Sequence, residues 1–166
     1  MLFVMTLTIR PTPPDHPQVQ ALIAELDAYL ASLYEPEDVY ILDLASLMEP
    51  GVTFLGAWSG DELVGCGAVR LMPGEAATDG RPYGEIKRMF VSPARRGERI
   101  GQQLVEALER EVARNGLDRA LLETGPPQVE AMRLYTRCGY SPRGVYGDYP
   151  DNADASVFME KRWNPA

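Results

Sequence analysis

The segment Glu85-Ile-Lys-Arg-Met-Phe-Val-Ser-Pro-Ala-Arg-Arg-Gly-Glu-Arg-Ile-Gly101 constrains this chain more than any other. Its first half carries the apolar beads of a strand (Ile86, Met89, Phe90, Val91) and stops at Ser92-Pro93. A basic, glycine-bearing turn follows, and an amphipathic run starts near Arg99. Strand, turn and helix start, in that order, leave unpaired backbone N–H groups at the positive end of a helix dipole, which favours a bound phosphate. Five cations, Lys87, Arg88, Arg95, Arg96 and Arg99, fall inside the segment. In a chain of 16 Lys and Arg against 24 Asp and Glu, net charge −8, so local a positive excess stands out. Taken alone, the pattern also suits an ordinary strand–loop–helix connection.

The rest of the chain supplies a sheet for that strand. Residues 5–10 alternate as a strand, and Asp15 is placed to cap a helix in which Val19, Leu22, Ile23, Leu26, Leu30 and Leu33 recur at helical spacing. Glu35-Pro36-Glu37-Asp38 breaks that helix, and 39–48 suit a short second one. Val52–Trp58 and Leu63–Met72 read as a hairpin across Ser59-Gly60-Asp61-Glu62, before a Gly/Pro/Asp loop over 73–82. Strand 83–91, helix 99–114, strand 118–123, helix 127–138 and strands near 140–146 and 155–161 complete the order. An antiparallel meander followed by strand–helix–strand–helix predicts an α/β (α+β) fold: a mixed, mostly antiparallel sheet of six to seven strands flanked by helices. At 166 residues the chain reads as one domain over 1–166.

Acidic composition argues against nucleic acid or an anionic membrane as partner, and it suits a cationic acceptor such as an amine. Cys66 and Cys138 are too few for a disulfide scaffold and read as thiols of a reducing cytoplasm. Met1-Leu-Phe-Val-Met5 lacks the basic leader and length of a signal peptide, and no stretch reaches the ~20 apolar residues of a membrane span. One histidine, His16, and no Cys/His cluster suggest chemistry without a metal.

Residues 85–101 resemble the cofactor motif of the GNAT superfamily of N-acetyltransferases, Arg/Gln-x-x-Gly-x-Gly/Ala after a central strand. Here it reads Arg96-Gly97-Glu98-Arg99-Ile100-Gly101, with Arg99 where the family has its middle glycine. A second segment, Glu130-Ala-Met-Arg-Leu-Tyr-Thr-Arg-Cys-Gly-Tyr140, is similar to the family's Asn-x-x-Ala-x-x-x-Tyr helix and following Gly-Phe/Tyr. Ala131, Tyr135, Gly139 and Tyr140 match, and Gln128 stands for Asn. The GNAT fold is a mixed sheet of the kind predicted above.

The resemblance implies acetyl-CoA as acetyl donor. Its pyrophosphate would lie on the turn of Arg96, Gly97, Glu98, Arg99, Ile100, Gly101 and Gln102, and its pantetheine arm against the backbone of Met89, Phe90 and Val91. Gln128 would hydrogen-bond the pantetheine or carbonyl region, and Tyr135 would protonate the leaving thiolate. At i, i+3, i+4 and i+7, Ala131, Leu134, Tyr135 and Cys138 also share one helix face, so a core tyrosine is the other reading. Glu85, eleven residues before Arg96, matches the catalytic glutamate of histone-type members. Three roles stay open for it: base, ligand for the acceptor ammonium, or structural partner of Arg88 or Lys87. Arg99 is expected to keep φ < 0. Tyr34, Tyr83, Tyr146, Tyr149, Asp148 and Asp151 are candidates for the acceptor pocket. The acceptor itself, a small molecule or a protein amine, is left open, as is a homodimer. The rival reading is a non-catalytic acyl-CoA-binding module on the same fold.

Overall fold

The computed structural model describes residues 5–164; residues 1–4, where most of the apolar start lies, fall outside them. Its strands are β1 (Leu7–Pro11), β2 (Val52–Ser59), β3 (Glu62–Met72), β4 (Tyr83–Val91), β5 (Arg119–Thr124), β6 (Ser141–Arg143) and β7 (Val157–Arg162). They form one seven-stranded sheet in the order β1-β2-β3-β4-β5-β7-β6. Only β4 and β5 pair in parallel; every other neighbour is antiparallel. The helices are α1 (Pro17–Leu33), α2 (Leu44–Leu47), α3 (Ile100–Arg114) and α4 (Val129–Arg137). No helix of the described residues is long and apolar enough to cross a membrane.

Period-two alternation in the strands gives each face its own core. On one face, Ile100, Leu104, Val105, Leu108 and Val112 of α3 meet Leu55, Val64, Val69, Ile86 and Leu122. On the other, Val19, Leu22 and Leu26 of α1 and Leu47 of α2 meet Phe54, Trp58, Leu63, Cys66 and Phe90. Leu104 and Leu108 are fully buried, so truncating either to alanine costs about 2–5 kcal/mol.

Several local expectations shift. His16, not Asp15, caps α1: its Nδ1 accepts from the Gln18 amide at 3.1 Å. Residues 39–48 give only the single turn Leu44–Leu47, because Asp43 caps the Ser46 amide at 2.8 Å and the preceding residues run irregularly. The strand near 140–146 shortens to Ser141–Arg143, after which Val145, Tyr146 and Tyr149 turn inward to pack a third apolar cluster.

Two irregularities in β4 build the site. Opposite β3 the register slips between Cys66 and Ala68, which pair with Phe90 and Lys87, so Arg88 and Met89 together face Gly67. Such a two-against-one bulge re-aims side chains. Arg88 absorbs it with φ 58°, a left-handed conformation costly for a residue bearing a Cβ. Opposite β5, pairing covers only Gly84, Glu85 and Ile86, although β4 continues to Val91 and β5 to Thr124. Beyond Ile86 the two strands part, and their backbone edges open a gap.

Candidate active site

Two neighbouring spaces lie at the gap. A cleft of about 750 Å³ runs between the end of β4 and the starts of α3 and α4, lined by Phe90, Val91, Arg96, Gly97, Arg99 and Gly101 among others. A second cavity of about 80 Å³ lies between β4, β5 and α1, lined by Tyr34, Tyr40, Lys87, Arg88, Glu123 and Thr124 among others. Leu26, Met89, Gln128 and Tyr135 belong to both walls. Met89, Gln128 and Tyr135 thus stand between the long cleft and the small cavity.

The cleft's far end is the turn singled out by its sequence. Gly97 has φ 85° and Arg99 φ 61°, correcting the expectation of φ < 0 for Arg99. Arg99 is the N-cap of α3 and no side chain caps that end, so the first-turn amides are free for a ligand. Gly101 lets α3 and α4 approach closely: a Cβ there would lie 3.0 Å from the tip of the Leu134 side chain, which would have to shift. Arg95 is held by Glu98 at 2.8 Å, and Arg96 lies over the Phe90 ring with its Nε on the Val91 carbonyl at 3.2 Å. Among the described residues the guanidinium of Arg99 forms no ion pair. Ile100 is buried under the turn, and Gln102 lines the cleft while bonding Glu106 at 3.1 Å. Of the five clustered cations, Lys87 and Arg88 do not belong to this turn; the bulge sends them to the cavity. Arginine donors, free amides and a long half-apolar cleft fit a diphosphate with an extended tail.

Tyr135 is buried at the junction, 5.9 Å from the Tyr140 ring. Burial, with lesser contributions from Cys138 and Glu123, pushes its hydroxyl up and keeps it protonated at neutral pH. Gln128, expected to reach the donor, gives its amide to the Tyr34 hydroxyl at 3.0 Å while remaining on both walls.

Glu85 sits one step behind the cavity, 1% exposed and off its wall. Arg70 donates to Oε1 at 3.1 Å, and Tyr146 and Tyr149 donate to Oε2 at 2.7 and 2.8 Å. Neither expected partner is the one found: Glu85 pairs across the ladder with Arg70, and Arg88 pairs with Asp27 of α1 at 2.7 Å. Lys87 donates to the Tyr149 hydroxyl at 2.7 Å and the Tyr40 carbonyl at 3.0 Å, and burial lowers its pKa. Tyr83 and Tyr146 are core residues, and Asp148 and Asp151 lie exposed, away from both spaces.

Two carboxylates line the cavity, Asp38 and Glu123, and Glu123, near the end of β5, is the one whose pKa is raised. Burial pushes it up to about 7, Lys87 opposing and Glu85 adding to the shift. Our reading of the sequence passed over it. The available signal was one acidic residue in an otherwise apolar run, Ala120-Leu-Leu-Glu-Thr124.

Comparison with known proteins agrees with this geometry. Residues 19–140 match the Acetyltransferase (GNAT) family. The chain is 44% identical over 156 residues to an IAA acetyltransferase of Azospirillum brasilense, covering 93% of this chain and 97% of the relative. A Klebsiella pneumoniae structure described as an acyl-CoA N-acyltransferase is 36% identical with TM-score 0.77, covering 95% of this chain and 98% of that one. The PaiA N-acetyltransferase of Thermoplasma acidophilum, in complex with coenzyme A, shares the fold at 16% identity and TM-score 0.69, over 96% and 100% of the two chains. Parted strands, uncapped helix start and sequence kinship lead to one conclusion: the chain belongs to the GNAT family of acetyltransferases.

Proposed function

We propose that the protein moves an acetyl group from acetyl-CoA directly to a primary amine within a ternary complex. One observation carries the reading: the long cleft and the small cavity share Met89, Gln128 and Tyr135. The pyrophosphate would rest on the amides from Gly97 to Gln102 with Arg96 and Arg99 beside it, and the pantetheine arm would run along the edge of Met89, Phe90 and Val91. The thioester would then stand at the junction and the amine in the cavity.

Glu123 is the better placed base, since it faces the cavity and its pKa of about 7 suits a proton acceptor at neutral pH. It takes one proton from the acceptor ammonium, and the freed lone pair attacks the thioester carbonyl carbon. As the tetrahedral intermediate collapses the C–S bond breaks, Tyr135 protonates the departing thiolate, and the second amine proton restores Tyr135 through solvent. The products are the N-acetyl amide and free CoA. Glu85 acts as a positioning residue, holding Tyr149 and through it Lys87.

Direct transfer is favoured over an acyl-cysteine. Burial pushes the Cys66 thiol up to about 12, and it donates to the Arg88 carbonyl at 3.4 Å. Cys138, also raised by burial, lies off both walls. Two free thiols suit a reducing cytoplasm.

The test is an amine panel with acetyl-CoA, following thiol release and intact-protein mass. Amine-dependent thiol release with unmodified protein is expected. An acetylated cysteine, or thiol release indifferent to every amine, would contradict the reading.

A further inference from the structure

Arg88 is the one strained, buried cation on the cavity wall, and its pairing is incomplete. Its side chain is 3% exposed and gives Nη2 to Asp27 at 2.7 Å. Nε and Nη1, which carry three N–H donors between them, are buried and find no partner among the described residues. Leaving such donors unpaired costs free energy, so a partner is expected to arrive with the ligand. The left-handed φ of 58° at Arg88 and the bulge around it place this side chain beside Lys87 on the same wall. The counter-charges in reach of that wall are Asp27, itself 45% exposed, Asp38 and Glu123. The cavity therefore presents both signs: carboxylates for an ammonium and an under-used guanidinium for an anion.

We infer that the acceptor is a zwitterion, an amine that also bears an oxyanion, and that Arg88 receives the oxyanion through an unpartnered N–H of Nε or Nη1. This rests on the acetyl-transfer reading above and narrows its acceptor class. A charge-assisted guanidinium N–H suits an oxygen of a carboxylate or of a tetrahedral phosphonate, and with Nη2 already fixed on Asp27 the bond orients the ligand as well as holds it. With the anion fixed at Arg88, the amine is left to face Glu123 and the junction. Simple alkylamines leave the same donors unpaired, and an uncharged amide offers them only a neutral carbonyl oxygen.

The experiment compares three acceptors of one carbon skeleton: an α-amino acid, its carboxamide and its aminophosphonate. Each is assayed for kcat/KM with saturating acetyl-CoA on the wild type, Arg88→Met and Arg88→Lys. Melting curves and calorimetric CoA affinity certify the fold of each variant. The wild type should prefer an oxyanion acceptor over the carboxamide by about 10–10²-fold. Which of the two oxyanions leads identifies the source. Arg88→Met should collapse that ratio toward one, and Arg88→Lys should restore part of it through charge alone. If Arg88→Met does not fold, the wild-type ratio and the Arg88→Lys ratio decide. Equal kcat/KM for carboxamide and oxyanion acceptors on the wild type would overturn the inference and leave amine acetylation standing. A wild type that acetylates none of the three nor any other amine would overturn both.

Discussion

Arg70 stands directly opposite Glu85 across the β3–β4 ladder, its Nη2 3.1 Å from Glu85 Oε1. The pair is lopsided, since the Arg70 side chain is 31% exposed and that of Glu85 only 2%. Removing the charge of Glu85 strands a half-solvated arginine and two buried hydroxyls. We expect Glu85→Gln to lose about 1–3 kcal/mol of stability, read as a lower Tm. Because Glu85 positions Lys87 through Tyr149, kcat/KM should fall while the inflection in rate persists at somewhat lower pH, since the charge of Glu85 adds to the raised Glu123 value. Loss of that inflection would return Glu85 to the role of base.

Glu123 gives a signature in stability that needs no substrate. Its carboxyl is raised from 4.5 to about 7 by burial. Between those two pH values the unfolded chain has released a proton that the folded chain still holds, so stability falls as pH rises through the window. Glu123→Gln removes this slope. Relative to wild type the variant should gain on the order of 1–3 kcal/mol by pH 8, and little at pH 4. Thermal melts across pH check it; parallel curves would refute a raised Glu123.

The phosphate turn makes a prediction about Arg99. A non-glycine residue at φ 61° carries local strain of about 1 kcal/mol. Arg99→Gly should therefore hold or raise Tm, yet weaken CoA binding by removing a cation from the diphosphate site. Calorimetric titration beside a melt separates the two effects, and tighter CoA binding would show that the arginine obstructs the turn.

Gly125 follows β5 beside the hydroxyl of Tyr34, a residue of the small cavity's wall. A Cβ there would collide with the Tyr34 hydroxyl and the Ala155 carbonyl. Gly125→Ala should displace Tyr34, break its bond from Gln128, and raise the acceptor KM more than it changes CoA affinity. Equal loss of both would mean general misfolding instead.

The fold and the cleft half of the candidate site were legible in the sequence because both are local. Strand alternation, the Ser92-Pro93 stop and the glycine-bearing turn lie within one short stretch, and α4 carries Ala131 and Tyr135 at fixed spacing. The cavity half was not, because it is assembled across the fold. Glu85 reaches Arg70 on β3 and two tyrosines after β6, and Arg88 reaches Asp27 on α1. The bulge that turns Lys87 and Arg88 onto one wall depends on β3 register and leaves no trace in the segment's own pattern. Arg99 was misjudged for a related reason: preference against φ > 0 is overridden where the turn must enter α3.

Tyr135→Phe should lower kcat by about 10²-fold while CoA affinity holds, since the hydroxyl acts on charge that appears only as the C–S bond breaks. Stopped-flow thiol release, with chemistry limiting, checks it. Unchanged turnover would make Tyr135 a core tyrosine.

In the proposed reaction the amine loses its proton to Glu123 at the junction of the two spaces. The most direct test is the pH dependence of kcat/KM for an accepted amine in wild type and Glu123→Gln. Wild type should rise through an inflection near the Glu123 value of about 7. The variant should lose that inflection, drop by about 10²–10⁴-fold at neutral pH and recover toward high pH as the free amine deprotonates unaided. A variant that keeps both the neutral-pH rate and the inflection would contradict the account.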